Sequence, residues 1–274
     1  MTTGGAQWTI DPSQAVGVFD SGVGGLSVLA EIRRELPREN ILYLADTEHM
    51  PYGSRPLAEV RAFSRSIVEF FLARGVKLVV LACNTASAAS LKHLREIYPR
   101  IPFVGMEPAV KPAAAHSRNG KVGVLATQAT FQGELFESVV ERFAKDVTVI
   151  ETPCPGLAEH IESFPDDTDG LEQLLRRWIG PLLEQGIDSL VLGCTHYPLV
   201  KDAIQRVAGE GITIFDPSNA IARRVRQVLG DNAGLAEKAG SGSVDYYTTG
   251  DINAFKSVVE KILAQSASVH QARL

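Results

Sequence analysis

The chain carries one pattern twice, and this constrains its fold more than any local propensity does. Residues 73–85, ARGVKLVVLACNT, lie over residues 184–196, EQGIDSLVLGCTH, at an offset of 111, which sets Gly75 on Gly186, Leu81 on Leu192 and Cys83 on Cys194. VGVFDS (16–21) lies over VGVLAT (122–127) at an offset of 106, and MEP (106–108) over FDP (215–217) at 109. Three matches in the same order at nearly the same offset imply two halves of similar build, opening near Val16 and Val122.

Within each half, short β-branched runs alternate with helical patterns, the signature of βαβ units and a parallel sheet. Strands are expected near 16–19, 41–44, 78–82, 102–104, 122–125, 147–150, 189–192, 212–215 and 244–247. SVLAEIRREL and EVRAFSRSIVEFFLARG carry apolar residues at helical spacing with charges opposite, and Gly75 supplies a helix stop. Residues after 217 have no counterpart in the repeat. They are expected to return and complete the first α/β domain, residues 1–107 plus 217–274, leaving 108–216 as the second. Open parallel sheets bind ligands at the C-terminal ends of their strands. Cys83 and Cys194 both fall there, on what would be opposite walls of one cleft.

Composition narrows the function. A formal net charge of −5, with no basic cluster beyond RRVR at 223–226, argues against nucleic acid as a partner. The longest apolar run, LVVLAC, falls far short of the roughly 20 residues of a membrane span. Residues 1–14 lack the basic start and apolar stretch of a secretory signal; they read as a flexible lead-in, and a cytoplasmic location is expected. Three cysteines, an odd number, then imply free thiols rather than a disulfide framework.

Each repeated thiol precedes a predicted helix, NTASAASLKHLREI or YPLVKDAIQRVA, whose unpaired N–H groups would favour the thiolate and bring its pKa toward operating pH. Cys154, between two prolines and without a repeat partner, reads as structural. Zinc is disfavoured, because only Cys194 and His196 are close and a single residue separates them. The glycines of SGVGG (21–25) do not complete a phosphate-binding fingerprint. They would let the backbone approach a small ligand closely, beside the Asp20 carboxylate, which suits an ammonium group, and the Ser21 hydroxyl. MPYGSRP (50–56) reads as a turn. Asn84, Thr85 and Thr195 add donors beside the thiols that suit a carboxylate. Two proton carriers on opposite faces of one bound carbon are what stereochemical inversion needs, one removing a proton and the other delivering one.

GVFDSGVGGLSV, PYG, ACNTAS, GVLATQAT and LGCTHYPL together resemble the cofactor-independent glutamate racemases, from about Val16 to Gly250. The resemblance implies two α/β domains related by a pseudo-twofold with the active site between them, and neither pyridoxal phosphate nor metal. It implies that Cys83 deprotonates D-glutamate and Cys194 L-glutamate, with Asp20 and His196 as their helpers. Substrate contacts carry over to Asp20, Ser21, Tyr52, Gly53, Asn84, Thr85, Thr195 and His196, and also to Thr127 and Thr130. Asp46 and Glu162 match further acidic positions of the family. A homodimer is compatible with the resemblance, and a role in supplying D-glutamate for peptidoglycan follows from it. The sequence departs from the family pattern at TEHM (47–50) and in GMEPAVKPA (105–113), away from both cysteines. Other readings are an aspartate racemase on the same scaffold, a two-lobed protein that binds an acidic amino acid without reacting, and a redox pair formed by Cys83 and Cys194.

Overall fold

The computed structural model describes residues 10–163, 167–237 and 239–274. It contains two parallel sheets. The strands are β1 (Val16–Asp20), β2 (Ile41–Ala45), β3 (Leu78–Leu81), β4 (Phe103–Gly105), β5 (Lys121–Ala126), β6 (Thr148–Pro153), β7 (Ser189–Gly193), β8 (Thr213–Phe215), β9 (Val244–Thr248) and β10 (Val269–Gln271). The first sheet has the order β10-β9-β2-β1-β3-β4 and the second β6-β5-β7-β8, every neighbouring pair parallel.

The repeat is visible in this topology. β2-β1-β3-β4 and β6-β5-β7-β8 are the same order written twice, so β1 corresponds to β5 and β3 to β7. Gly75 and Gly186, which the repeat superimposes, both take a positive φ (+69° and +74°) where a helix turns into the next strand. In each half the chain leaves its first strand, adds one neighbour on one side and then crosses to the other. The C-terminal ends of β1/β3 and β5/β7 are therefore the two topological switch points, where open α/β sheets place their ligands.

Nine of these strands are those expected from the sequence, and β10 is an addition. Its three residues, VHQ, carry no apolar run, and it is held at the edge of the sheet by pairing with β9. The chain after residue 217 joins the first sheet: β9 lies in register against β2, and the helix Ser218–Asp231 buries Ile221, Ala222, Val225 and Leu229 in a cluster with Leu26, Leu29 and Ile32.

The first sheet is covered on both faces. Val16, Val18, Leu78 and Val80 enter one apolar cluster, and Phe19, Leu42, Leu44, Val79 and Leu81 enter another on the opposite face. This two-sided burial explains why the strands read as continuous apolar runs rather than alternating ones. Truncating such a residue to alanine costs about 2–5 kcal/mol. The first nine residues of the expected lead-in lie outside the described residues. The remainder is not free: Ile10 is buried in the first cluster, and the buried Lys77 Nζ donates to the Pro12 carbonyl (2.9 Å) while pairing with Glu39 (2.6 Å). No helix among the described residues is long and apolar enough to cross a membrane.

Candidate active site

A cavity of about 250 Å³ opens between the C-terminal ends of the two sheets, and Cys83 and Cys194 both line it. That volume suits one small metabolite rather than a drug-sized or polymeric ligand. Cys83 follows β3 and caps the helix Asn84–Ile97, its Sγ accepting from the Ala86 N–H at 3.4 Å and lying 3.8 Å from the Ser21 hydroxyl. Cys194 follows β7. The chain then makes a single tight turn, Tyr197–Val200, before the helix Lys201–Ala208 begins, so this thiol does not sit on a helix N-terminus. Its polar neighbour is His196 Nδ1, at 3.7 Å.

Asp20, at the end of β1, stands behind Cys83 and is wholly buried. Its carboxylate accepts from the Gly25 N–H (2.8 Å), the Gly22 N–H (3.3 Å) and the Thr195 hydroxyl (3.4 Å). Asp20 therefore reaches the cavity through Cys83 and Thr195 rather than forming its wall. Burial raises the Asp20 pKa despite the nearby His196 charge. Burial likewise pushes the Cys83 thiol well above its ordinary value, and the Asp20 charge adds to that push, outweighing the Ala86 N–H. The helix-terminus argument from sequence thus gives the wrong direction for Cys83. One capping N–H is weaker than desolvation plus an adjacent carboxylate.

His196 is buried between Cys194 and Glu162. Its Nε2 lies 2.5 Å from Glu162 Oε2, and both Glu162 oxygens also accept from the Val23 N–H (3.2 and 3.0 Å). Burial alone would lower the His196 pKa; hydrogen bonds to Cys194 and Glu162 more than offset it and hold the imidazole well above its ordinary value. Glu162 comes from the helix Leu157–Glu162 of the second half and grips the β1 loop of the first. Here the glycines of SGVGG find their reason. A Cβ on Gly22 would lie 2.5 Å from Glu162 Oε2, and one on Gly24 would lie 2.6 Å from His196 Nδ1. They admit the side chains of the other half, not the close-approaching ligand expected from the sequence.

The remaining walls carry hydroxyls and amides. Asn84 lines the cavity with both Oδ1 and Nδ2 buried and bonded to no protein group, which leaves the amide available to a polar guest. Thr85 Oγ1 meets Thr127 Oγ1 at 2.9 Å across the two halves, and Thr130 Oγ1, behind the wall, closes the triangle at 2.9 Å from Thr127. Tyr52 and Gly53 also line the cavity, and Gly53 packs against Thr127, where an added Cβ would lie 2.8 Å from the Thr127 side chain. Asp46 does not line the cavity; it is buried behind that wall, accepting from the Tyr52 hydroxyl at 2.5 Å. The sequence missed Met50, Gln128 and Glu159, which also line the cavity; Met50 and Gln128 lie inside the stretches MPYGSRP and GVLATQAT, which do not single them out, and Glu159 lies in no such stretch. Cys154, read from the sequence as structural, also reaches the cavity. That thiol is on the cavity wall, pushed up to about 12 by burial, and its Sγ donates to the Thr152 carbonyl.

Residues 16–225 match the family model for Asp/Glu/hydantoin racemases. The glutamate racemase of Ectopseudomonas mendocina (strain ymp) is 47% identical over 262 residues, covering 95% of this chain and 99% of that protein. A crystal structure of a glutamate racemase isoform from Bacillus anthracis superposes with a TM-score of 0.89 at 36% identity, covering 95% of this chain and 98% of that one. The Escherichia coli glutamate racemase, solved in complex with L-glutamate and the activator UDP-MurNAc-Ala, superposes with a TM-score of 0.82 at 32% identity, covering 94% and 98%. The duplicated sheets, the thiol-walled cavity between them and this likeness along nearly the whole chain lead to one conclusion: the protein is an enzyme of the Asp/Glu/hydantoin racemase family.

Proposed function

We propose that the chain interconverts L- and D-glutamate by moving a proton on and off Cα between Cys83 and Cys194. The observation that carries this reading is the pair of thiols at equivalent positions of the repeat, both on one small cavity. Cys83 takes the proton of D-glutamate and Cys194 that of L-glutamate, and in each direction the opposite thiol protonates the carbanion from the other face. Asp20 and His196 assist the nearer thiol, Glu162 holds His196, and Asp46 supports the Tyr52–Gly53 wall.

The electrostatics fit such a cycle. Burial and the Asp20 charge oppose the ionisation of Cys83 and keep its thiol protonated. An entering ammonium group brings positive charge beside both and eases the loss of that proton. The Asn84 amide, with the hydroxyls of Ser21, Thr85, Thr127 and Thr195, offers the donors that must stabilise the carbanionic carboxylate in a water-poor cavity, and Thr130 supports Thr127 and Thr85 from behind. The activity needs no cofactor or metal in this scheme. We assign the D-glutamate product to peptidoglycan synthesis in the cytoplasm, an assignment supported by the family resemblance.

Optical rotation tests the assignment. Without added cofactor, the enzyme should bring L-glutamate and D-glutamate to zero rotation, and aspartate, one methylene shorter, should react roughly 10- to 200-fold less efficiently. Rotation that stays constant with glutamate rejects the reading, and faster loss with aspartate reassigns the substrate.

A further inference from the structure

We propose that Thr249, supplied by the C-terminal part of the chain, is a positioning residue of the active site: it fixes Asp46, and Asp46 fixes the Tyr52–Gly53 wall of the cavity. This rests on reading the cavity as the racemase site. None of the motifs that identify the cysteines includes Thr249.

β9 lies in register against β2 as far as Thr248 opposite Ala45, and the chain remains bound beyond that point. The Thr249 N–H donates to the Ala45 carbonyl (3.2 Å). Its hydroxyl donates to Asp46 Oδ1 (2.8 Å) and accepts from the Glu48 N–H (3.1 Å). One side chain thus spans the start of the 46–55 loop and ties its main chain to the carboxylate. Gly250 closes the seam: its N–H reaches Thr47 Oγ1 at 3.2 Å. β10 secures the segment from outside, with the Ala272 N–H donating to the Thr248 carbonyl (2.8 Å) and Gln271 Nε2 to the Thr249 carbonyl (2.7 Å).

From Asp46 the path continues to the cavity. Its second oxygen accepts from the Tyr52 hydroxyl (2.5 Å), and His49 Nδ1 lies 2.8 Å from Oδ1. His49 stacks on Phe63 with ring centroids 4.0 Å apart, and its carbonyl accepts from Arg55 Nε (2.7 Å). The loop between Asp46 and Arg55 is therefore pinned at both ends, with the cavity-lining Tyr52 and Gly53 inside the span. A buried carboxylate that loses one of two hydroxyl partners has reason to rotate toward what remains. Rotation of Asp46 would carry the Tyr52 hydroxyl with it. Neither thiol shares a hydrogen bond with this network. Loss of Thr249 should consequently weaken substrate binding and leave the thiol chemistry alone.

The test compares Thr249→Val, Thr249→Ser and Thr248→Val. The Thr248 hydroxyl meets Thr47 at 2.7 Å rather than Asp46, so its loss loosens the same segment without touching the carboxylate. Two readouts are taken on the full chain: hydrogen–deuterium exchange of the 49–54 backbone, which needs no activity, and KM and kcat for both glutamate enantiomers across pH. Thr249→Val should speed exchange in 49–54 at least tenfold and raise KM about tenfold for both enantiomers, with the pH profile of kcat unmoved. Thr249→Ser and Thr248→Val should stay within about twofold of the parent. Equal effects of Thr248→Val and Thr249→Val overturn the proposal, as does parental exchange and KM in Thr249→Val, or a serine variant as impaired as the valine one. Should Thr249→Val fail to fold, Tyr52→Phe, which cuts the same path at its other end, must show the faster loop exchange; parental exchange there overturns the proposal. Should the parent not racemise glutamate, the exchange data still decide the role of Thr249.

Discussion

Cys83 and Cys194 occupy one position of a duplicated scaffold and meet opposite electrostatics. Cys83 caps a helix and faces a buried carboxylate, Asp20, which holds its proton on. Cys194 has no helix behind it and faces an imidazole, His196, whose far nitrogen is locked to Glu162. In the proposed mechanism these are two equivalent places for a proton carrier, and their neighbours differ: one thiol is kept protonated, while the other stands beside a group that readily carries positive charge. Because L- and D-glutamate are mirror images of equal free energy, this asymmetry cannot favour either product. It can only set how each direction divides its efficiency between kcat and KM.

The comparison breaks most severely when either thiol is removed. Cys83→Ala and Cys194→Ala should each lower racemisation by at least about 1,000-fold, within the range seen for loss of a positioned acid or base, while thermal unfolding stays near that of the parent. Equal losses mean that both sides are needed; survival of one variant would mean that a single base suffices.

Glu162→Gln removes the negative charge that, together with Cys194, favours a charged His196. A fall in kcat of roughly 100-fold is expected, at the low end for acid–base assistance. The sign of the pH effect follows from linkage. The folded-state pKa of His196 lies above its ordinary 6.5, so its contribution to stability is full below that pH and is lost as pH rises through the folded value. In Glu162→Gln this decline in melting temperature above pH 6.5 should flatten. An unchanged pH slope would contradict the pairing.

Gly24→Ala tests whether the glycine run serves the contact between halves. The added methyl would overlap His196 Nδ1 and the His196 backbone nitrogen, and overpacking of this kind costs about 1–3 kcal/mol. Thermal melts should show the loss, with KM rising because the halves cannot close fully. The smallest effect is local: Asp20→Asn should move the pH midpoint for alkylation of Cys83 downward, since it removes the largest cause after burial that raises it.

The repeat made most of the architecture legible before any coordinates. Two copies of one pattern require two sheets of like order, and that places both cysteines at switch points. β10 was not legible, because its three residues gain their strand conformation from β9 rather than from their own sequence. The lining of the cavity was readable where a motif drew attention to it, as at Cys83, Cys194 and Asn84. It was misread where the deciding partner is distant in sequence. Gly22 and Gly24 are small because Glu162 and His196 press on them, and Cys83 keeps its proton because burial outweighs a helix end. Thr249 carried no signal, its partner Asp46 being 203 residues away.

The division of labour between the thiols is tested most directly by deuterium exchange at Cα in D₂O, followed by NMR, for Cys83→Ser and Cys194→Ser with each enantiomer in turn. The account predicts that neither variant inverts glutamate at an appreciable rate. Cys194→Ser should retain exchange only with D-glutamate, through Cys83, and Cys83→Ser only with L-glutamate, through Cys194. Exchange of both enantiomers by one variant, or the opposite pairing of variant and enantiomer, would contradict it.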